Sequence, residues 1–61
     1  MNKTLKFYSQ MSNNELLAEI RGKMENGGLN MDDIDACLWF ESKLEDGEKL
    51  TLNELEQFIR M

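Results

Sequence analysis

Histidine and proline are both absent from this 61-residue chain, and cysteine occurs once, at Cys37. Each absence removes a class of protein. Without histidine or a CxxC pair, a zinc site has almost no ligands to draw on. A lone cysteine forbids an internal disulfide and suits a reducing compartment, so the expected location is cytoplasmic. Nucleophilic catalysis without histidine leaves Cys37 or a serine dependent on a lysine or carboxylate for activation. Cys37 falls between Ile34 and Leu38 on an apolar helix face, where a thiol behaves as a small hydrophobe. Acid pairs such as Asp32/Asp33 and Glu41/Glu45 arise readily in a chain with 12 acids. So short a chain also encloses no substrate pocket of ordinary size. The reading is therefore non-enzymatic, with no catalytic residue, no metal and no cofactor.

Long apolar runs are missing too. No stretch approaches the roughly 18 apolar residues of a membrane span, and the N-terminus lacks the apolar core of a signal peptide. Nothing in the composition reads as a linker, so residues 1–61 form one expected domain, with 1–10 open to being an arm that orders on a partner. A chain of this size hides only about 60% of the surface its unfolded form exposes. With disulfide and metal removed as remedies, an efficient helical core or self-association remains, and a dimer is expected.

Basic residues are few and unevenly placed: 7 against 12 acids, for a net charge of −5. Lys3 and Lys6 lie in the first ten residues, which contain no acid; the remainder holds all 12 acids and 5 bases. A body so charged repels nucleic acid backbones.

What the chain has in place of these features is one phrase used three times: an apolar residue, a capping residue, two variable positions, an acid and a second apolar residue. The copies are Met11-Ser12-Asn13-Asn14-Glu15-Leu16, Leu29-Asn30-Met31-Asp32-Asp33-Ile34 and Leu50-Thr51-Leu52-Asn53-Glu54-Leu55. Each marks a helix start. The cap side chain accepts a bond from an otherwise orphaned backbone N–H, and the acid three residues on reaches back to the cap's own N–H. The flanking apolar pair staples the approach of the chain.

These starts predict an all-α bundle of three helices, at about 13–26, 31–46 and 52–60, with a short N-terminal helix or arm. In the first helix Leu16, Leu17, Ile20 and Met24 form one stripe, and Gly27-Gly28 ends it. Gly22 inside it costs stability and reads as incidental. In the second, Met31, Ile34, Cys37, Leu38, Phe40 and Leu44 cover about half the circumference, as for a central helix with neighbours on two sides. In the third, Leu52, Leu55, Phe58 and Ile59 face the core. In residues 1–10, Met1, Leu5 and Tyr8 follow helical spacing while Leu5 and Phe7 alternate as a strand would; a helix is favoured.

Two residues stand out as candidates for recognition. Trp39 projects from the less apolar side of the second helix, at a partner interface or against Phe7 or Tyr8 of the same chain; aromatics concentrate binding energy in interfaces. Glu41 falls inside the apolar sector, where a carboxylate needs a partner: Arg21, Lys23 or Arg60 within the chain, or a group across an interface. With Phe40, Asp35, Phe7 and Tyr8 they make the candidate partner-binding set. The segment 45–54 superficially resembles a calcium-binding EF-hand loop, but with Gly47 as the central glycine, Leu44 and Asn53 occupy ligand positions they cannot serve.

The function expected is a small acidic interaction module that binds and modulates a host protein, in the manner of phage or mobile-element inhibitors, without direct nucleic acid or membrane contact. The alternative is a nucleic acid mimic, its acids standing in for phosphates in a DNA- or RNA-binding groove of a host defence protein. A small helix-turn-helix regulator fits less well, because Asp32, Asp33 and Asp35 open one candidate recognition helix and Glu54 and Glu56 lie in the other.

Overall fold

The structure is a computed structural model that describes residues 3–61, with side chains from Thr4 onward. Among the described residues every regular element is helical: α1 (Lys3–Ser9), α2 (Asn13–Asn26), α3 (Met31–Glu45) and α4 (Leu52–Arg60). The three repeated phrases are the N-termini of α2, α3 and α4. At Ser12 and Thr51 both halves of the capping box form: the hydroxyl accepts from the backbone N–H of Glu15 or Glu54, whose carboxylate accepts from the cap's N–H. At Asn30 the side-chain oxygen accepts from the Asp33 N–H at 2.8 Å. Asp33, one methylene shorter than Glu, makes no return bond to the Asn30 N–H.

The ends are equally well defined. α3 closes in a Schellman turn, in which the Glu48 N–H donates to the Lys43 carbonyl and the Gly47 N–H to the Leu44 carbonyl, both at 3.1 Å. Gly47 takes φ +90° to permit it, a conformation that costs a side chain-bearing residue dearly. Asp46, expected as the last helical residue, is the cap. α2 ends at Gly27, with φ 76° and ψ −168°.

α2 packs along α3, and α1 along α4. The core between these pairs comprises Leu16, Leu17 and Ile20 of α2, Cys37, Phe40 and Leu44 of α3, Leu55 and Phe58 of α4, and Leu50 from the connection. Met11, Met24 and Leu29 pack at its margin, so Met11 and Leu29, which precede the caps of α2 and α3, close over the core as staple residues should. α1 is a helix docked on its own chain: Leu5 and Tyr8 pack against the core, and the Tyr8 ring meets Phe58 edge-on at 5.7 Å. Met1, invoked for the same helical spacing, lies outside the described residues.

Three apolar positions depart from expectation. Helical spacing predicts Met31 and Leu38 on the broad apolar half of α3 and Leu52 on the core face of α4, but all three are exposed. At 100° per residue, Cys37, Phe40 and Leu44 cluster within about 60° of arc, and Met31 and Leu38 lie more than a quarter-turn beyond it. α3 therefore buries one narrow stripe. The broad apolar sector is two separate faces.

Candidate interaction face

The outward face of α3 is built by helical geometry alone. Met31, Asp35, Leu38, Trp39 and Ser42 recur at spacings of three and four, which places them on one side of the helix. The opposite side carries Cys37, Phe40 and Leu44 into the core. The result is an apolar surface on one side of α3: Met31 is 74% exposed, Trp39 64% and Leu38 50%. Asp35, also exposed, sits among them, and Asp32 lies at the edge. Neither aspartate forms an ion pair within the described residues.

Of the six residues picked out from sequence, the structure gathers three on or beside this face. Trp39 and Asp35 are on it. Glu41 lies at the flank toward α2, where its carboxylate accepts from the Arg21 guanidinium at 2.8 Å, with Glu45 3.7 Å from the same guanidinium. Arg21 is thus the partner among the three considered; Lys23 reaches instead to the Phe58 carbonyl at 3.1 Å and over its ring, and Arg60 pairs with Glu56. Phe40 requires a correction: it is only 2% exposed, one of the largest fully buried side chains, and so fills the core rather than meeting a partner. The reason is its position on α3, nearly opposite Met31.

Phe7 and Tyr8 are elsewhere, on α1. Tyr8 is half-buried between Phe7, edge-on at 5.6 Å, and Phe58. Burial, with a smaller contribution from Glu19, pushes its hydroxyl pKa up. Phe7 is the exposed end of this aromatic row. Trp39 is not part of it, so the in-chain packing of Trp39 on Phe7 or Tyr8 does not occur. Reading the sequence missed Met31 and Leu38 as surface residues. The signal that finds them is angular: each lies over 100° from the Cys37–Phe40–Leu44 axis.

Elsewhere the chemistry is sparse. An open groove of about 470 Å³ between α3 and α4 is lined by Asp33, Asn53, Glu56, Gln57, Arg60 and Met61. It offers hydrogen-bonding groups but no paired nucleophile and base. Among the described residues no three His, Cys, Asp or Glu side chains converge to hold a metal ion, and no helix is long and apolar enough to cross a membrane. Cys37 is fully buried, its Sγ 3.6 Å from Met61 Sδ. What the fold and site define is an all-helical unit that displays an apolar helix face edged with carboxylates. Compared with protein families, with curated proteins and with solved structures, the chain matches none.

Proposed function

We propose that this chain is a small non-enzymatic interaction module that binds another protein through the outward face of α3, self-associates, and modulates its target in the way small phage or mobile-element inhibitors do. The observation that supports this reading is the exposure of Trp39, Leu38 and Met31 together on one helix face. Apolar groups cost free energy when left in water, by about 25 cal/mol for each Å² that could be covered, and contiguous patches of this kind mark binding surfaces. Trp39 is the expected anchor, because tryptophan dominates binding energy at interface centres. Asp32 and Asp35 select a partner with basic groups around an apolar pocket. The expected setting is the cytoplasm of a host cell.

The test is a tagged pull-down from host lysate beside Trp39→Ala. Trp39 lies outside the core, so the variant keeps its stability to within about 0.5 kcal/mol. A captured protein lost in the folded variant supports the reading; capture that is indifferent to Trp39 overturns it.

A second reading, mimicry of nucleic acid, draws on Glu19, Glu25, Asp32 and Asp35, which are exposed and form no ion pair among the described residues. It predicts capture that collapses between low and moderate salt, whereas apolar anchoring responds weakly.

A further inference from the structure

α2 and α3 end differently, and the difference leaves a reactive bond open. Beyond α3, the Schellman turn holds Gly47 and Glu48 with two backbone hydrogen bonds at 3.1 Å. Beyond α2, the Gly27 N–H reaches the Met24 carbonyl at 3.3 Å, and Gly28 adds no backbone bond of the kind Glu48 makes. Gly27, at φ 76° and ψ −168°, lies outside the left-handed helical region that such a turn requires. Asn26, Gly27 and Gly28 are all exposed. Asn26 is the last residue of α2, and helix ends open at little cost. It is also the only asparagine of the chain that precedes a glycine. That pairing has a chemical consequence. The backbone nitrogen after an asparagine lies within reach of the asparagine Cγ, and closure to a cyclic imide is hindered chiefly by the side chain of the following residue. Glycine has none.

We propose that Asn26-Gly27 is a site of self-modification, at which the chain deamidates through a succinimide into isoaspartyl and aspartyl forms. The Gly27 nitrogen gives up its proton to base and attacks Asn26 Cγ. The N–Cγ bond forms as the Cγ–Nδ2 bond breaks, and the amide group leaves as ammonia with a proton from water. Water then opens the ring. Addition at Cγ gives aspartate; addition at the former backbone carbonyl of Asn26 leaves the chain running through Cβ and Cγ instead. Both products place a carboxylate at the C-terminal end of α2, beside Glu25, where the helix dipole opposes it. The isoaspartyl form also adds a methylene to the backbone between α2 and α3. Leu29 packs from this connection onto the core, and Asn30 caps α3, so lengthening it loosens both. The modification needs neither the α3 face nor a partner, and so goes beyond the interaction reading.

The experiment holds the full chain at physiological temperature, at neutral and mildly alkaline pH, with and without urea, and follows it by peptide mapping and mass spectrometry. The expected result is a mass gain of water less ammonia at Asn26 in the folded chain, at least about ten-fold faster than at any other asparagine. It should rise with pH and resolve into two chromatographic products, and Asn26→Ser should gain no mass at that position. The purified isoaspartyl product should melt a few degrees below the fresh chain. Freshly prepared Asn26→Asp, which carries the charge alone, should fall between them. Deamidation of Asn26 no faster than of Asn13, Asn14, Asn30 or Asn53 overturns the proposal. So does modification that appears only in urea, because it would then belong to the unfolded chain and not to the open end of α2. An isoaspartyl product as stable as the fresh chain overturns the effect assigned to the connection between α2 and α3.

Discussion

The ammonium of Lys43 lies 2.6 Å from Oε1 of Glu54, the same oxygen that accepts the Thr51 N–H at 2.9 Å. One carboxylate oxygen therefore closes the capping box of α4 and ties its first turn to the last turn of α3. Both side chains are largely shielded from solvent, which makes this pair more consequential than an exposed ion pair.

Glu54 should accordingly dominate the acid limb of stability. Burial alone would raise its pKa, but the bonds from Lys43 and Thr51 outweigh it and hold the carboxyl below its ordinary value. A depressed carboxylate stabilises the fold fully above its unfolded-state pKa, and the contribution is lost as pH falls through the folded-state value. Glu54→Gln removes the charge while keeping an acceptor. It should cost about 1.5 kcal/mol at neutral pH, roughly a 6–12 °C drop in Tm. The difference from wild type should shrink as the pH is lowered. Thermal melts across the acid range check this; a constant difference would assign the loss to packing.

Gly22 and Gly27 should respond to alanine in opposite directions. A Cβ built at Gly22 meets nothing within 4 Å, so no neighbour requires the glycine. Gly22→Ala should stabilise by up to about 1 kcal/mol through helix propensity. Gly27 sits at φ 76° and ψ −168°, a region that is essentially glycine's own, and Gly27→Ala should cost about 1–3 kcal/mol. Denaturant midpoints for the two variants, one above and one below wild type, are the expected result.

Asn13 joins elements that sequence spacing does not connect. Its Nδ2 donates to the carbonyls of Leu44 at 3.3 Å and Glu48 at 2.9 Å, fastening the start of α2 to the Schellman turn after α3. Its Oδ1 is buried without a partner. Asn13→Ala loses two bonds but also removes that orphaned oxygen, so the expected cost is only about 1 kcal/mol. Asn13→Asp should cost more, because an ionised carboxylate is acceptor-only and faces two carbonyl oxygens. Its deficit should narrow at acid pH, where a protonated carboxyl regains one donor. Equal losses in the two variants at neutral pH would contradict this account.

The contrast between Asn13 and the helix caps explains what could be read from the chain. Ser12, Asn30, Thr51 and the glycines act on backbone a few residues away, so their effect is written locally and the helices could be placed to within a residue or so. Phe40 and Leu38 differ only in which neighbour the helix is turned toward, which is a tertiary fact. An apolar sector of half a circumference contains both answers. Glu41 was legible as a charge needing a partner, but choosing Arg21 over Lys23 and Arg60 required knowing that α2 packs along α3. Leu5 and Tyr8 were legible as one helical stripe and do face inward, but that this stripe docks on α4 through Phe58 had no local signal, because the contact joins residues fifty positions apart.

Cys37 should be inert while the fold is closed. Its side chain is fully buried. Its thiol pKa is pushed up chiefly by that burial; the Lys23 charge opposes the shift, and Asp33 and Glu41 reinforce it. A thiol reagent needs the thiolate and access, and both are withheld until the core opens. Labelling should therefore follow the equilibrium population of open chain, rising steeply through the urea transition. The same shift has a stability consequence of definite sign. A raised pKa favours the folded state fully below the unfolded-state value, and that advantage disappears as pH rises toward the folded-state value. Stability should fall on the alkaline side first through Cys37, and further through Tyr8, whose hydroxyl is also shifted up. Cys37→Ala should remove the first step while leaving the second. Fast labelling of the native chain would mean the thiol is accessible and place Cys37 outside the core that holds α2, α3 and α4 together; an alkaline profile unchanged by the substitution would mean that the Lys23 charge cancels the effect of burial on the thiol.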